Sequence, residues 1–204
     1  MTRKILPVFF IMLLLAGCGG PAVDYTLSDQ YRLARPYTVA VLPVEWATEA
    51  PEEKDVSHLF RIMSYERLGA MGYRLVPLEA VDALYLKGGL KATAARPKPE
   101  IAGELGADGL VIVRVNGWDK GTLAGYASLG MEAELAMYSM KGEQLWSAGY
   151  KTSESDLSLD AEPNELAVVK AYEPRVQRFV DAIFTTLPQA ETPRSEKTFF
   201  DWLP

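Results

Sequence analysis

Apolar residues follow three different spacings along this chain, and each spacing predicts a different kind of element. From Ile5 to Leu15 they form an almost unbroken run behind Arg3 and Lys4. Thr38-Val-Ala-Val-Leu-Pro43 and Gly109-Leu-Val-Ile-Val-Arg-Val115 are short runs rich in β-branched residues, the pattern of buried strands. Between them, Val56, Leu59, Phe60, Met63 and Met71 recur near one face of a helix that Asp55 can cap and Gly72 can stop. Tyr73–Pro77 reads as a strand, Leu78–Lys87 as a helix closed by Gly88-Gly89, and Glu100–Leu105 as a short helix ending at Gly106.

Beyond Val115 the period becomes two. Gly117, Gly121 and Gly125 predict a turn, and Ala127–Tyr138 then alternates Met131, Ala133, Leu135 and Met137 with Glu132, Glu134 and Ala136. That alternation predicts a strand with one wet face. Ser139-Met-Lys-Gly142 predicts a hairpin turn, and Glu143–Lys151 a returning strand. Ser153–Asn164 reads as a polar, acidic loop. Glu165–Leu187, interrupted at Pro174, returns to helical spacing with Val176, Phe179, Val180, Ile183 and Phe184. The predicted order is β-α-β-α-α-β-β-β-α. It describes an α/β chain with a mixed sheet (α+β): a parallel start with a right-handed crossover, then an antiparallel meander.

The first apolar run changes what the rest of the chain is for. Two positive charges, an apolar stretch and small residues leading to Cys18 form a secretory signal. The run is shorter than the roughly 20 residues a spanning helix needs, and Pro7 interrupts it. Leu14-Leu15-Ala16-Gly17-Cys18 resembles the cleavage box of bacterial lipoproteins. The resemblance implies a cut before Cys18, a diacylated thiol and an acylated amine. More than one acyl chain makes such anchoring stable. Gly19 after the cysteine, by likeness to the sorting rule of enteric-type bacteria, implies the outer membrane.

The expected organisation is therefore a signal peptide at 1–17, a lipidated Cys18 with a tether to Pro36, an α/β domain over 37–187, and a polar linker with an aromatic tail over 188–204. Removing residues 1–17 from the 204 leaves 187, the size of one domain with tails. Apolar residues make up 49% of the chain, enough for a core. Removing Arg3 and Lys4 takes the formal charge from −6 to −8, which argues against nucleic acid as a partner. Cys18 is the single cysteine, so no disulfide can form within the chain.

Catalytic groupings are sparse. His58 stands alone on the first helix and reads as a surface or boundary residue. The three turn glycines precede a strand and lack the Lys-Ser/Thr and helix of a phosphate loop. Glu132 and Glu134 share one strand face, where like charges stay solvated, whereas paired glycosidase acids face each other across a cleft. Asp156, Asp160 and Glu162 lack the glycine and ligand spacing of a calcium loop. The reading is a non-enzyme without cofactor or metal. Phe199, Phe200, Trp202 and Leu203, behind a polar linker, either fold back on the domain or dock a partner, since aromatic residues dominate interface anchors.

Four segments carry a family likeness: Val39-Ala-Val-Leu-Pro43, Gly72-Tyr-Arg-Leu-Val-Pro77, Gly106-Ala-Asp-Gly-Leu-Val-Ile112 and Gly142-Glu-Gln-Leu-Trp-Ser147. Through them the chain resembles bacterial lipoproteins typified by a genome-derived Neisseria surface antigen, within a wider set similar to the TolB N-terminal domain and to CsgG. The likeness covers roughly Tyr37–Lys151. It implies an outer-membrane lipoprotein with a single compact domain in the periplasm or at the surface. It also implies a role in envelope transport or secretion, with other envelope lipoproteins, transport proteins or further copies of the chain as partners. It supplies no catalytic residues. A related arrangement, a lipoprotein that regulates a cell-wall synthase, implies a long tether, and the 18 residues from Gly19 to Pro36 would span roughly 60 Å.

Overall fold

The computed structural model describes residues 22–48, 52–123, 126–156 and 172–191. Among these, the run that reads as doubly buried is the middle of the sheet. Strand β5 (Gly109–Leu123) pairs parallel with β2 (Thr38–Val41), which pairs parallel with β4 (Arg74–Leu75). On its other side β5 pairs antiparallel with β6 (Tyr126–Ser139), then β7 (Gln144–Asp156), then β1 (Asp24–Leu27). The order is β1-β7-β6-β5-β2-β4, a mixed sheet as expected. After Pro43 the chain rejoins β5 as β3 (Glu45–Trp46), again parallel.

Alternation along each strand divides the core in two. Val39, Val41, Val111, Val113, Val115, Met131, Ala133, Leu135, Met137, Trp146 and Ala148 face helices α2 (Lys54–Ala70) and α6 (Glu173–Phe184). Ala40, Leu42, Leu110 and Ile112 face the opposite way, towards α3 (Leu78–Gly88) and α5 (Lys98–Leu105). The short helix α4 (Leu90–Ala94) links the last two. Arg61 of α2 joins the two layers across the end of β2. Its Nη1 donates to Asp82 of α3 at 2.6 Å, and its Nε and Nη2 donate to the Val41 carbonyl at 3.4 and 3.3 Å.

The larger core is organised by aromatic rings. Phe179 meets Phe60 edge-on at 5.6 Å and Tyr150 at 5.0 Å. Trp118 sits edge-on to Phe60 and to Tyr172. Trp146 stacks on Phe184 at 5.7 Å, and its Nε1–H donates to Thr186 Oγ1 at 3.0 Å. The stripe predicted from Val176 to Phe184 is buried along its length.

Several boundaries differ from the sequence reading. The tether predicted as far as Pro36 instead holds β1 and helix α1 (Gln30–Ala34). The reason is an otherwise bare edge of β7, which pairs with β1, and a ring, Tyr31, that buries itself in the main core. The predicted linker begins by packing. Ala190 N–H donates to the Met71 carbonyl, and Tyr73 O–H donates to the Pro188 carbonyl at 2.7 Å. The predicted 117–125 turn is largely strand. Gly117 and Gly121 lie where a Cβ would press on Glu132 and Ser128, so glycine there admits the neighbouring strand. The register between β5 and β6 shifts at Asn116, between Val115 and Gly117. Residues 153–156 of the predicted acidic loop extend β7. Helix α2 starts at Lys54, so Asp55 lies inside its first turn and acts on the helix dipole without capping. Helix α6 begins at Glu173 with Pro174 in its first turn, a position that needs no N–H donor. The hairpin turn holds as read: Gly142 has φ of 84°, and Ser139 Oγ accepts from the N–H groups of Lys141 and Glu143.

Tyr31 and Tyr73 share a short hydroxyl–hydroxyl hydrogen bond, so Tyr31, Tyr73 and Pro188 form a relay joining both ends of the described domain. Burial raises the pKa of both hydroxyls.

Two outcomes follow from these contacts. Phe179→Ala removes the hub ring and should cost about 3–5 kcal/mol, a Tm loss on the order of 10 °C by calorimetry. The raised tyrosine pKa values make stability fully present below about pH 10, the unfolded value, and progressively lost as pH rises towards the folded-state values. Urea midpoints should therefore fall above that pH, and fall less steeply in Tyr73→Phe. That variant also leaves the Tyr31 hydroxyl and Pro188 carbonyl without their shared partner, at a cost of about 1–3 kcal/mol at neutral pH.

Candidate functional site

The two helical layers do not cover equal areas of sheet. Helices α3 and α5 lie over the parallel strands and the adjoining part of β5. The same face of β6, β7 and β1 carries none of the described helices, and there the surface is concave. Asp24, Thr26, Asn116, Glu132, Glu134, Ser147, Gly149 and Lys151 are among the residues lining a hollow of about 730 Å³.

Strand alternation explains why this face is built as it is. In β7 the residues turned to the core are Trp146, Ala148 and Tyr150, which leaves Ser147, Gly149 and Lys151 outside. In β6 the core takes Met131, Ala133, Leu135 and Met137, which leaves Glu132 and Glu134 outside. Direct pairing of Glu134 with Gly149, and of Gly149 with Asp24, makes the floor low at its centre.

The charges on this face pair across strands. Arg114 of β5 donates from Nε and Nη2 to Glu45 Oε2 of β3 at 3.0 and 2.7 Å, and its Nη1 lies 3.9 Å from Glu134 Oε2. Lys151 Nζ lies 2.7 Å from Glu132 Oε2. The hydrogen bonds to Glu45 push the Arg114 pKa up. These side chains are partly exposed, and pairs of that kind contribute only about 0–1 kcal/mol each. Their effect is to hold the charges in a fixed pattern: four carboxylates, Asp24, Glu45, Glu132 and Glu134, against the two cations Arg114 and Lys151.

Glu132 and Glu134 therefore sit side by side on an open face, as their spacing predicts, and each has a cation opposite. His58 is exposed on α2. Among the described residues no three His, Cys, Asp or Glu side chains gather as a metal-binding group. Cys18, Phe199, Phe200, Trp202, Leu203, Asp160 and Glu162 lie outside the described residues, and Asp156 ends β7. The residues that sequence reading passed over are Asp24, Thr26, Arg114, Ser147 and Gly149. A usable signal was present for two of them: Ser147 and Gly149 alternate with Trp146, Ala148 and Tyr150, a small-residue face opposite a bulky one.

No helix of the described residues is long and apolar enough to cross a membrane. No family model matches the chain, and no curated protein matches it. Solved structures do. Lipoprotein GNA1162 from Neisseria meningitidis is similar over 72% of this chain and 99% of its own, with a TM-score of 0.51 at 15% identity. A PelC dodecamer from Paraburkholderia phytofirmans is similar over 78% of this chain and 98% of its own, with a TM-score of 0.46 at 19% identity. The LpoB C-terminal domain from Salmonella enterica is similar over 72% and 93%, with a TM-score of 0.41 at 13% identity. What this chain shares with the Neisseria lipoprotein, at that level of identity, is the mixed α+β fold.

Proposed function

We propose that this chain is a non-enzymatic lipoprotein of the outer membrane that works by protein contact, as a component of an envelope transport or secretion assembly. The observation that carries the reading is the Leu14–Cys18 box behind a short apolar run, with Cys18 as the single cysteine of the chain. The fold it shares with a bacterial lipoprotein supports it. The open face of β6, β7 and β1 is the contact surface: concave, floored by small residues, patterned with charge and next to the chain segment that leads to Cys18.

The early start of β1 bears on where the partner lies. Residues 19–23 separate Cys18 from Asp24, and five residues reach at most roughly 17 Å. That spacing favours a partner in or at the outer membrane. It disfavours the alternative, regulation of a cell-wall synthase across the peptidoglycan, and clear stimulation of purified synthase in a polymerisation assay would reverse that order.

Cys18→Ser should leave the domain folded and free the mature-size species from carbonate-washed membranes; retention in equal amount at mature size would overturn the lipid anchor. Gly149→Arg tests the contact surface. A Cβ there meets no atom within 4 Å, so circular dichroism and Tm should be unchanged. Recovery of envelope partners by affinity capture from detergent-solubilised membranes should fall severalfold. Unchanged recovery would remove the open face from the proposal.

A further inference from the structure

The corner between α3 and α4 projects from the helical layer that covers the parallel strands. Every residue from Leu86 to Ala92 is exposed, while Tyr85 before it and Thr93 after it are buried. Gly88 and Gly89 make the corner possible: a Cβ on Gly88 would collide with Thr93 Oγ1, and Gly89 has φ of 80°. Two leucines flank these glycines, Leu86 at 77% and Leu90 at 61% exposure. Four residues of chain hold them within roughly 14 Å of each other.

The charge of this corner is opposite to that of the chain. The formal net charge is −6, yet residues 83–99 hold Lys87, Lys91, Arg96 and Lys98 and no Asp or Glu. Arg96 is taken up by Glu100 and Glu104, and Lys98 lies over the Tyr138 ring at 4.2 Å. Lys87 also acts on Glu104 through space, but Arg96 already holds that carboxylate. Among the described residues Lys87 and Lys91 have no ion pair, and both are exposed next to the leucines. Leucine and lysine are poor anchors for a protein partner, because interfaces favour aromatic residues and arginine and are depleted in lysine. At a bilayer surface the same two residue types are favoured: leucine enters the acyl boundary and lysine meets anionic headgroups.

We propose that the α3–α4 corner is a second membrane contact, seated on anionic phospholipid of the bilayer that holds the acyl chains of Cys18. The proposal rests on the Cys18 anchor and adds an orientation that an anchor alone lacks. β1 and β4 are five strand spacings apart, roughly 24 Å, and residues 19–23 let Asp24 stand up to roughly 17 Å from Cys18. A domain lying with its α3 and α5 side towards the bilayer therefore brings the corner to the surface while Cys18 stays inserted. Glu132, Glu134, Ser147 and Gly149 open on that same side of the sheet. The open face then looks at the membrane across about one helix thickness, roughly 10 Å, which confines its partner to the bilayer surface.

The lipidated mature chain, reconstituted in vesicles of phosphatidylethanolamine and phosphatidylglycerol, tests this. Acylation occupies the Cys18 sulfur, so Ala92→Cys at the corner and Glu66→Cys on α2, in the opposite layer, each supply the only free thiol for a fluorescent label. Flotation with the vesicles reads the anchor, and quenching of the label by a spin-labelled lipid reads the corner. Quenching at position 92 should exceed that at 66 severalfold and should weaken in vesicles of phosphatidylcholine alone. It should drop to the level of position 66 in Lys87→Glu/Lys91→Glu, with Tm unchanged in every variant. A chain that floats with the vesicles but is quenched equally at 92 and 66 would overturn the corner and leave the anchor standing. Equal quenching at 92 with and without phosphatidylglycerol would also overturn the proposal, since the lysines would then play no part. A chain that does not float loses the anchor, and the proposal with it.

Discussion

The segment Leu110–Val113 of β5 is sealed on both faces, and the rest of the architecture follows from that. Four consecutive apolar residues demand cover above and below the sheet. Strands that run parallel can be joined only by crossovers long enough to hold helices. The β2-to-β4 and β4-to-β5 connections therefore bring α2 to one face and α3 and α5 to the other. Antiparallel strands are joined by tight turns and bring no helices. Among the described residues, β6 and β7 thus receive helical cover on a single face, from α2 and α6, and none on the second. The concave surface is a consequence of where the sheet changes from parallel to antiparallel.

That topological origin explains the chemistry of the face. A sheet surface without a helix must be wet, so its outward positions carry Glu132, Glu134, Ser147, Gly149 and Lys151. Like charges on neighbouring strands would repel, and the interleaved Arg114 and Lys151 turn the repulsion into cross-strand pairs. The resulting pattern contributes little to stability. It gives the surface a fixed charge arrangement, and at Gly149 a floor low enough for close approach.

The two ends of the domain converge on one relay, Tyr31, Tyr73 and Pro188. Tyr31 belongs to the segment leading from Cys18, and Pro188 to the segment leading to the aromatic tail. Buried hydroxyls persist only when paired. Each therefore holds the other in place, and the start and finish of the fold are coupled through a side chain from the α2–β4 connection.

What the sequence determined by itself is whatever local spacing encodes. The doubly apolar strand at Gly109–Val115, the alternation from Met131 to Met137, the Ser139–Gly142 turn and the buried stripe of α6 are all legible without coordinates, because period and turn chemistry are properties of neighbouring residues. Tertiary structure alone decided the remainder. Asp24–Leu27 has no strand signature strong enough to read, and becomes a strand because the edge of β7 offers it unpaired hydrogen-bonding groups. Gly117 and Gly121 look like turn glycines, and are strand glycines because Glu132 and Ser128 lie against them across the ladder. Arg114 gave no hint of a site, and acquired a place in one when β3 and β6 brought Glu45 and Glu134 to its two sides. The wet face of β6 was legible in its alternation, but its continuation over β7 and β1 into one concave surface was not, since that depends on the order of strands in space, a relation between residues far apart in the chain.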